Sequence, residues 1–376
     1  MQKKYTSIGL MSGTSGDGVD ASIIYSNGID KFEAIKDKYY EYDAEIYKSI
    51  HNFKEAIHSS KELKKFSIEL LDLERKITLF HARVIKEISE NKEIDLVGFH
   101  GQTIYHNSKE KISNQLGDGK LLFQLTKKKI IYNFRQNDLK SGGEGAPLTP
   151  IFHQLIANQF KLTLPTIILN IGGISNVTII VKYNDNSMIV SRDIGPGNCM
   201  IDNWIRKNSK NKFDKDGALA SQGSRNNLIY EQALELFGNK IIDGENFSLD
   251  VNNFDISFAR GLSLEDGAAT LTDLTARIIG ESLTSNAYKI KDKSWKVLVC
   301  GGGRKNKFFM KKIKENLSTN IIIQPIDDYG IDGDFVESQA FAFLAIRSFL
   351  KLPISFPKTT GCKKPCSGGI LVEKLN

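Results

Sequence analysis

Ile8-Gly9-Leu10-Met11-Ser12-Gly13-Thr14-Ser15-Gly16-Asp17-Gly18-Val19-Asp20-Ala21 is a run of small and polar residues set between two apolar runs. Tyr5 to Leu10 reads as a short strand and Val19 to Tyr25 as a second. The glycines, Thr14 and Ser15 between them predict a hairpin whose tip exposes backbone N–H groups and hydroxyls. Such a tip can cradle phosphate oxygens, because donors converge where no side chain blocks approach. A purely structural Gly-rich turn reads equally well from this stretch alone. The run lacks the Gly-Lys-Ser/Thr ending of a P-loop and leads into a strand, which excludes that motif.

Further along, the pattern returns. Thr166 to Ile171 is β-rich, Gly172-Gly173-Ile174-Ser175-Asn176 is a small-residue turn, and Val177 to Val181 resumes the strand, about 160 residues after the first copy. A third apolar run, Met188 to Val190, ends in Ser191-Arg192-Asp193-Ile194-Gly195-Pro196-Gly197-Asn198. Duplicated strand–turn–strand units predict two similar α/β domains across a cleft, residues 1–150 and 151–376, with the Gly- and Pro-rich Ser141 to Pro150 as the lead-in to the boundary. Asp193, at the expected end of a strand, is a candidate general base. A turn-capping aspartate would look the same.

The remaining pattern fills in the domains. Phe32 to Tyr40 reads as a strand and Asp43 to Glu90 as helical, with Leu63, Phe66, Leu70, Leu73, Ile77, Phe80, Val84 and Ile88 forming one apolar stripe. Ile94 to Phe99 reads as a buried strand ending before His100, Gln102 and Thr103, where α/β sheets bind ligands. Leu121 to Leu125 and Lys129 to Phe134 read as further strands; Arg135 and Asp138 follow as an ion pair or as substrate contacts. Glu265 to Ser282 predicts a long helix. Lys296 to Cys300 predicts a strand that runs into Gly301-Gly302-Gly303-Arg304-Lys305-Asn306, a turn suited to a flat ring or a phosphate. Glu337 and Gln339 fall in the first turn of a last apolar helix.

Composition narrows the class. The 376 residues are 40% hydrophobic and 25% charged, ordinary for a globular protein long enough for two domains. The net charge of +7 is spread along the chain, which argues against a nucleic-acid surface. No apolar run approaches the roughly 20 residues that cross a bilayer, and no signal peptide is evident, so no membrane partner and a cytoplasmic location are expected. Four cysteines make no disulfide framework; Cys362 and Cys366 read as ordinary thiols or as a metal or redox pair. Six histidines include no His-Glu-x-x-His pair.

Taken in order, Met11 to Asp20, His100 to Ile104, Gly142 to Pro147, Asn170 to Asn176, Asp193 to Asn198, Gly301 to Asn306 and Glu337 to Phe341 resemble the motifs of the anhydro-N-acetylmuramic acid kinases, members of the actin, Hsp70 and sugar-kinase superfamily. The resemblance covers nearly the whole chain and implies two duplicated ribonuclease H-like α/β domains. It implies an enzyme that uses ATP and Mg2+ to open 1,6-anhydro-N-acetylmuramic acid with water and phosphorylate O6. Asp193 matches the base and Glu337 a second acid. ATP contacts would fall on Gly13, Thr14, Ser15, Gly16, Asp17, Gly18, Val19 and Asp20, on Gly172, Gly173 and Asn176, on Gly195, Gly197 and Asn198, and on Gly301, Gly302, Gly303 and Asn306. His100, Gln102, Thr103, Arg135 and Asp138 would contact the sugar. Met11 stands where many of the superfamily carry an aspartate, so the magnesium ligands stay unassigned. Gly16 replaces a larger apolar residue, and Asn246 to Leu264 departs from the commoner form. A non-catalytic sensor of cell-wall fragments, or a kinase of another carbohydrate, would share these motifs; a homodimer stays open.

Overall fold

The computed structural model describes residues 3–374 except 91, 184–185, 243–248, 250 and 289–293. The chain forms two compact units, one reaching Leu162 and resuming at Asp334, the other Thr163–Gly333.

In the first unit β1 (Tyr5–Ser12), β2 (Gly18–Ser26) and β3 (Phe32–Glu41) form an antiparallel meander. Helices α1 (Ala44–Ala56), α2 (Ser60–Lys65) and α3 (Ser67–Ser89) follow, α1 started by Asp43, whose side chain accepts from the N–H of Ile46. The expected stripe is real: Leu70, Leu73, Ile77, Phe80, Val84 and Ile88 are buried against the sheet, with Leu63 and Phe66 at its edge. Next come β4 (Leu96–Asn107), β5 (Ile112–Leu116), α4 (Gly119–Thr126), β6 (Lys129–Tyr132), α5 (Gln136–Lys140) and α6 (Pro150–Gln159). β4 and β6 are parallel to β1, giving the order β6-β4-β1-β2-β3.

The second unit repeats that plan. β7 (Thr166–Ile171), β8 (Ile174–Tyr183) and β9 (Asn186–Pro196) form the meander; α7 (Cys199–Asn208), α8 (Asn227–Ile242) and α9 (Leu264–Tyr288) follow. β10 (Trp295–Cys300), α10 (Lys307–Glu315) and β11 (Ile321–Pro325) complete the order β11-β10-β7-β8-β9. Each sheet thus sets three antiparallel strands beside two parallel ones in one order, the duplication that the paired turns imply.

Three expectations need correction. Leu121 to Leu125 is helical, because the Asp118 carboxylate accepts from the N–H groups of Lys120 and Leu121 and starts α4; a short apolar run alone does not tell strand from helix. β4 does not stop at Phe99 but runs on through His100, Gln102 and Thr103, since β5 pairs with its second half. The compact units also divide the chain otherwise than at residue 150. The last helices and strand, α11 (Val336–Phe349), α12 (Pro357–Thr360) and β12 (Ile370–Val372), return to the first sheet, where β12 pairs with β6.

The reason for that return lies in two glycines. Gly9 of β1 and Gly98 of β4 are paired neighbours, and a Cβ on either would overlap the backbone of α11, at Ser338 and Phe341 respectively. The helix therefore lies on the sheet at backbone distance, fixed by Ser22 Oγ to Ser338 Oγ (2.6 Å) and by Gln339 Nε2 donating to Asp37 Oδ2 (3.0 Å). Gln339 is in this way taken up by packing.

Candidate functional site

In the first unit the turn 13–17 is closed by the Gly16 N–H donating to the Gly13 carbonyl (3.2 Å), with Gly16 at φ +70°. Three of its carbonyls are then claimed by the chain: Gly13 by Gln102 Nε2 (3.0 Å), Thr14 by Lys54 Nζ (2.6 Å) and Asp17 by the Tyr42 N–H (2.9 Å). The N–H groups of Thr14 and Ser15, both exposed residues, have no partner among the described residues. A turn with pinned carbonyls and spare N–H groups is a donor surface for an anion. Val19 is fully buried in the core, so its side chain belongs to the fold, while Asp20 lies in β2 opposite Met11.

Gln102 also brings β4 to this turn. Beside it, His100 is buried; its Nδ1 donates to the Gly101 carbonyl (2.7 Å) and its Nε2 accepts from Arg135 Nη2 (3.0 Å). Burial, and then the Arg135 charge, holds the imidazole neutral, well below its ordinary range. Thr103 Oγ1 accepts from Gln115 Nε2 (3.3 Å). Gln102 thus meets Gly13 and His100 meets Arg135, whereas Asp138 joins neither pair. Its carboxylate turns to the C-terminal segment, where Oδ1 accepts from Thr360 Oγ1 (2.6 Å) and Oδ2 from the Gly145 N–H (2.7 Å).

In the second unit three turns are laced together. The carbonyls of Gly172 and Gly173 accept from the N–H groups of Gly197, Asn198 and Cys199 (2.8–3.1 Å), and a Cβ on Gly301 would overlap the Asn170 side chain. Arg304 braces the Gly301 turn, with a two-point contact to Asp327 (2.8 Å each) and one to the Gly301 carbonyl (3.1 Å). Asn306 is the N-cap of α10, its Oδ1 accepting from the Phe309 N–H (2.9 Å). Asp193 lies inside β9, paired with Asn176, because β9 runs on through Pro196 past a bulge at Ser175 and Asn176. It is half-buried, and its Oδ2 accepts from the Leu249 N–H (2.6 Å). Of the divergent segment 246–264, residues 246–248 and 250 lie outside the described residues. Glu337 is half-buried in the first turn of α11.

The glycines sort into two kinds. Cβ atoms on Gly18, Gly197, Gly301 or Gly303 would collide with neighbouring backbone or side chains, so the fold itself demands glycine there. A Cβ on Gly302 would meet nothing within 4 Å, and on Gly13 or Gly172 nothing nearer than 3.7 and 3.6 Å. Packing leaves those three positions open. Sequence reading missed Lys54 and Tyr42, whose roles depend on the distant turn they reach, and it quoted Arg304 within its turn without the bracing contact to Asp327. An open hollow of about 670 Å³ beside α9 and α10, lined by Arg277, Glu281 and Asn316 among others, involves none of the expected residues.

The family model for anhydro-N-acetylmuramic acid kinase matches residues 5–374. The chain is 52% identical over 375 residues to the anhydro-N-acetylmuramic acid kinase of Pelagibacter ubique, covering 99% of this chain and 100% of that one. The corresponding protein of Zymomonas mobilis is 36% identical, covering 96% and 98%. That of Agrobacterium fabrum is 34% identical, covering 98% of each. With its two α/β sheets and its glycine turns, the chain belongs to the anhydro-N-acetylmuramic acid kinase family.

Proposed function

We propose that this kinase uses ATP to open 1,6-anhydro-N-acetylmuramic acid with water and to phosphorylate O6, giving N-acetylmuramic acid 6-phosphate in the cytoplasm. The observation that carries the reading is Asp193, a half-buried carboxylate held by a backbone N–H in a strand flanked by laced glycine turns. A carboxylate so oriented can take a proton from water as that water attacks the anomeric carbon. The C1–O6 bond breaks, O6 attacks the γ-phosphorus, and ADP leaves. Positioning and charge neutralisation supply the rest of the catalysis. The N–H groups of Thr14 and Ser15 donate to phosphate oxygens, and the open face at Gly302 admits the adenosine. Glu337 orients sugar or water, while His100, as a neutral imidazole fixed by Arg135, presents that guanidinium to the sugar. Magnesium, when bound with ATP, supplies positive charge to the phosphates. Asp17 fits it, because its Oδ1 is a buried carboxylate oxygen without a hydrogen bond in the phosphate turn.

The test is product mass. Incubation with the anhydro sugar, ATP and magnesium should give a species heavier by one water and one phosphoryl group. Tight sugar binding without that product would instead make the protein a sensor, and turnover of only other carbohydrates in a substrate panel would remove the anhydro sugar from the reading.

A further inference from the structure

Away from the phosphate turns, the first unit gathers two thiols and a carboxylate in its interior. Asp138 of α5, Cys362 and Cys366 are all buried, and one ligand atom from each lies within 4.8 Å of the others. We propose that Asp138 Oδ1, Cys362 Sγ and Cys366 Sγ form a binding site for a thiophilic divalent cation, zinc in the first instance.

Four observations converge on it. Cys366 Sγ stands 3.9 Å from Asp138 Oδ1, close to the separation of about 3.5–4 Å that ligand atoms adopt around tetrahedral zinc. The two oxygens of Asp138 are differentiated. Oδ2 is anchored by the Gly145 N–H and Oδ1 accepts from the Thr360 hydroxyl while lying toward Cys366 Sγ, so outer partners orient the carboxylate as they do a ligating one. Among the described residues no lysine, arginine or histidine pairs with this buried carboxyl group, whose partners are the Thr360 hydroxyl and the Gly145 N–H. Finally, the backbone fixes the spacing. Cys366 pairs with Ser355, the Lys363 N–H donates to the Ser141 carbonyl, and the Glu144 N–H donates to the Thr360 carbonyl, so both cysteines are clamped against the segment that follows Asp138.

On binding, the two thiol protons pass to solvent, that of Cys362 from beside the Lys364 carbonyl and that of Cys366 from between Ser355 Oγ and Asp138, and two metal–sulfur bonds and one metal–oxygen bond form. Water completes the set, while the Thr360 hydroxyl, 2.6 Å from Oδ1, stays hydrogen-bonded to the ligating oxygen. The cation would fasten the C-terminal segment to the 141–145 loop.

Tag-free full-length protein, stripped with chelator under reductant, is titrated with Zn2+ against a chromogenic chelator, and with Co2+ as a spectroscopic probe. One equivalent should bind, and the Co2+ form should show sulfur-to-metal charge transfer with intense tetrahedral bands. Cys362→Ser and Cys366→Ser should each weaken binding at least tenfold; the Cys199→Ser, Cys300→Ser double variant should bind as the parent does. Failure of the parent to bind stoichiometrically, or a Co2+ form without sulfur charge transfer, overturns the site even if the serine variants fail to fold. Unchanged affinity in folded serine variants overturns it as well.

Discussion

At the scale of single residues, the fold and the ligand ask different things of glycine. Gly13 and Gly302 have room for a methyl group, so Gly302→Ala should keep the parent melting temperature yet raise KM for ATP several-fold. Gly301→Ala would instead press into Asn170, and its damage should appear first in stability. An unchanged KM for Gly302→Ala would move the nucleotide elsewhere. Asp193→Asn removes the proton acceptor while keeping the side chain's size. Turnover should fall about 10²- to 10⁴-fold with an unaltered circular dichroism spectrum, and near-parental rates would take the role of base away from it. Asp138 answers to stability. Thr360→Val deletes a donor to a buried carboxylate and should cost about 1–3 kcal/mol in urea unfolding. Asp193, expected at a strand end, lies within β9, whereas the glycine turns were legible in sequence because they follow local apolar runs. The attachment of Asp138 to Thr360 was not, since 222 positions separate the two residues.

At the scale of elements, α11 decides how the first unit closes. The helix pattern from Glu337 onward was readable, but its partner was not: nothing local to Val336–Phe349 says which sheet it covers. The answer was written in Gly9 and Gly98, each an isolated glycine inside a strand, which is a recognised sign of close backbone approach. Gly9→Ala should lower the unfolding free energy by about 1–3 kcal/mol, because the new methyl overlaps the Ser338 carbonyl and the Ala342 backbone nitrogen. A parental unfolding midpoint would show that the helix can ride higher on the sheet. The misread segment 121–125 illustrates the opposite case, where one capping carboxylate outweighs a β-like run.

At the scale of the molecule, the five-strand order that the two sheets share contrasts with an uneven distribution of chemistry. All six histidines lie in the first unit, and burial holds four of them neutral. His81 is lowered to about 4, His106 and His153 to about 3, and His100 also lies well below its usual range. Between the ordinary value near 6.5 and these lowered values the unfolded chain binds more protons than the folded one. Stability is therefore full above about pH 6.5 and falls as pH drops toward 4, at about 1.4 kcal/mol per pH unit for each histidine. Hydrogen exchange measured by segment across that range should show protection lost in the first unit well before Thr163–Gly333. Equal loss in both would shift the cause to groups other than these histidines.

The return of α11 to the first sheet also sets an order of assembly during synthesis. A nascent chain reaching Gly333 already holds every strand and helix of the second unit, yet lacks the helix that covers Gly9 and Gly98. The segment made first is thus finished last, and its open sheet face must wait on the ribosome for roughly 15 more residues to emerge.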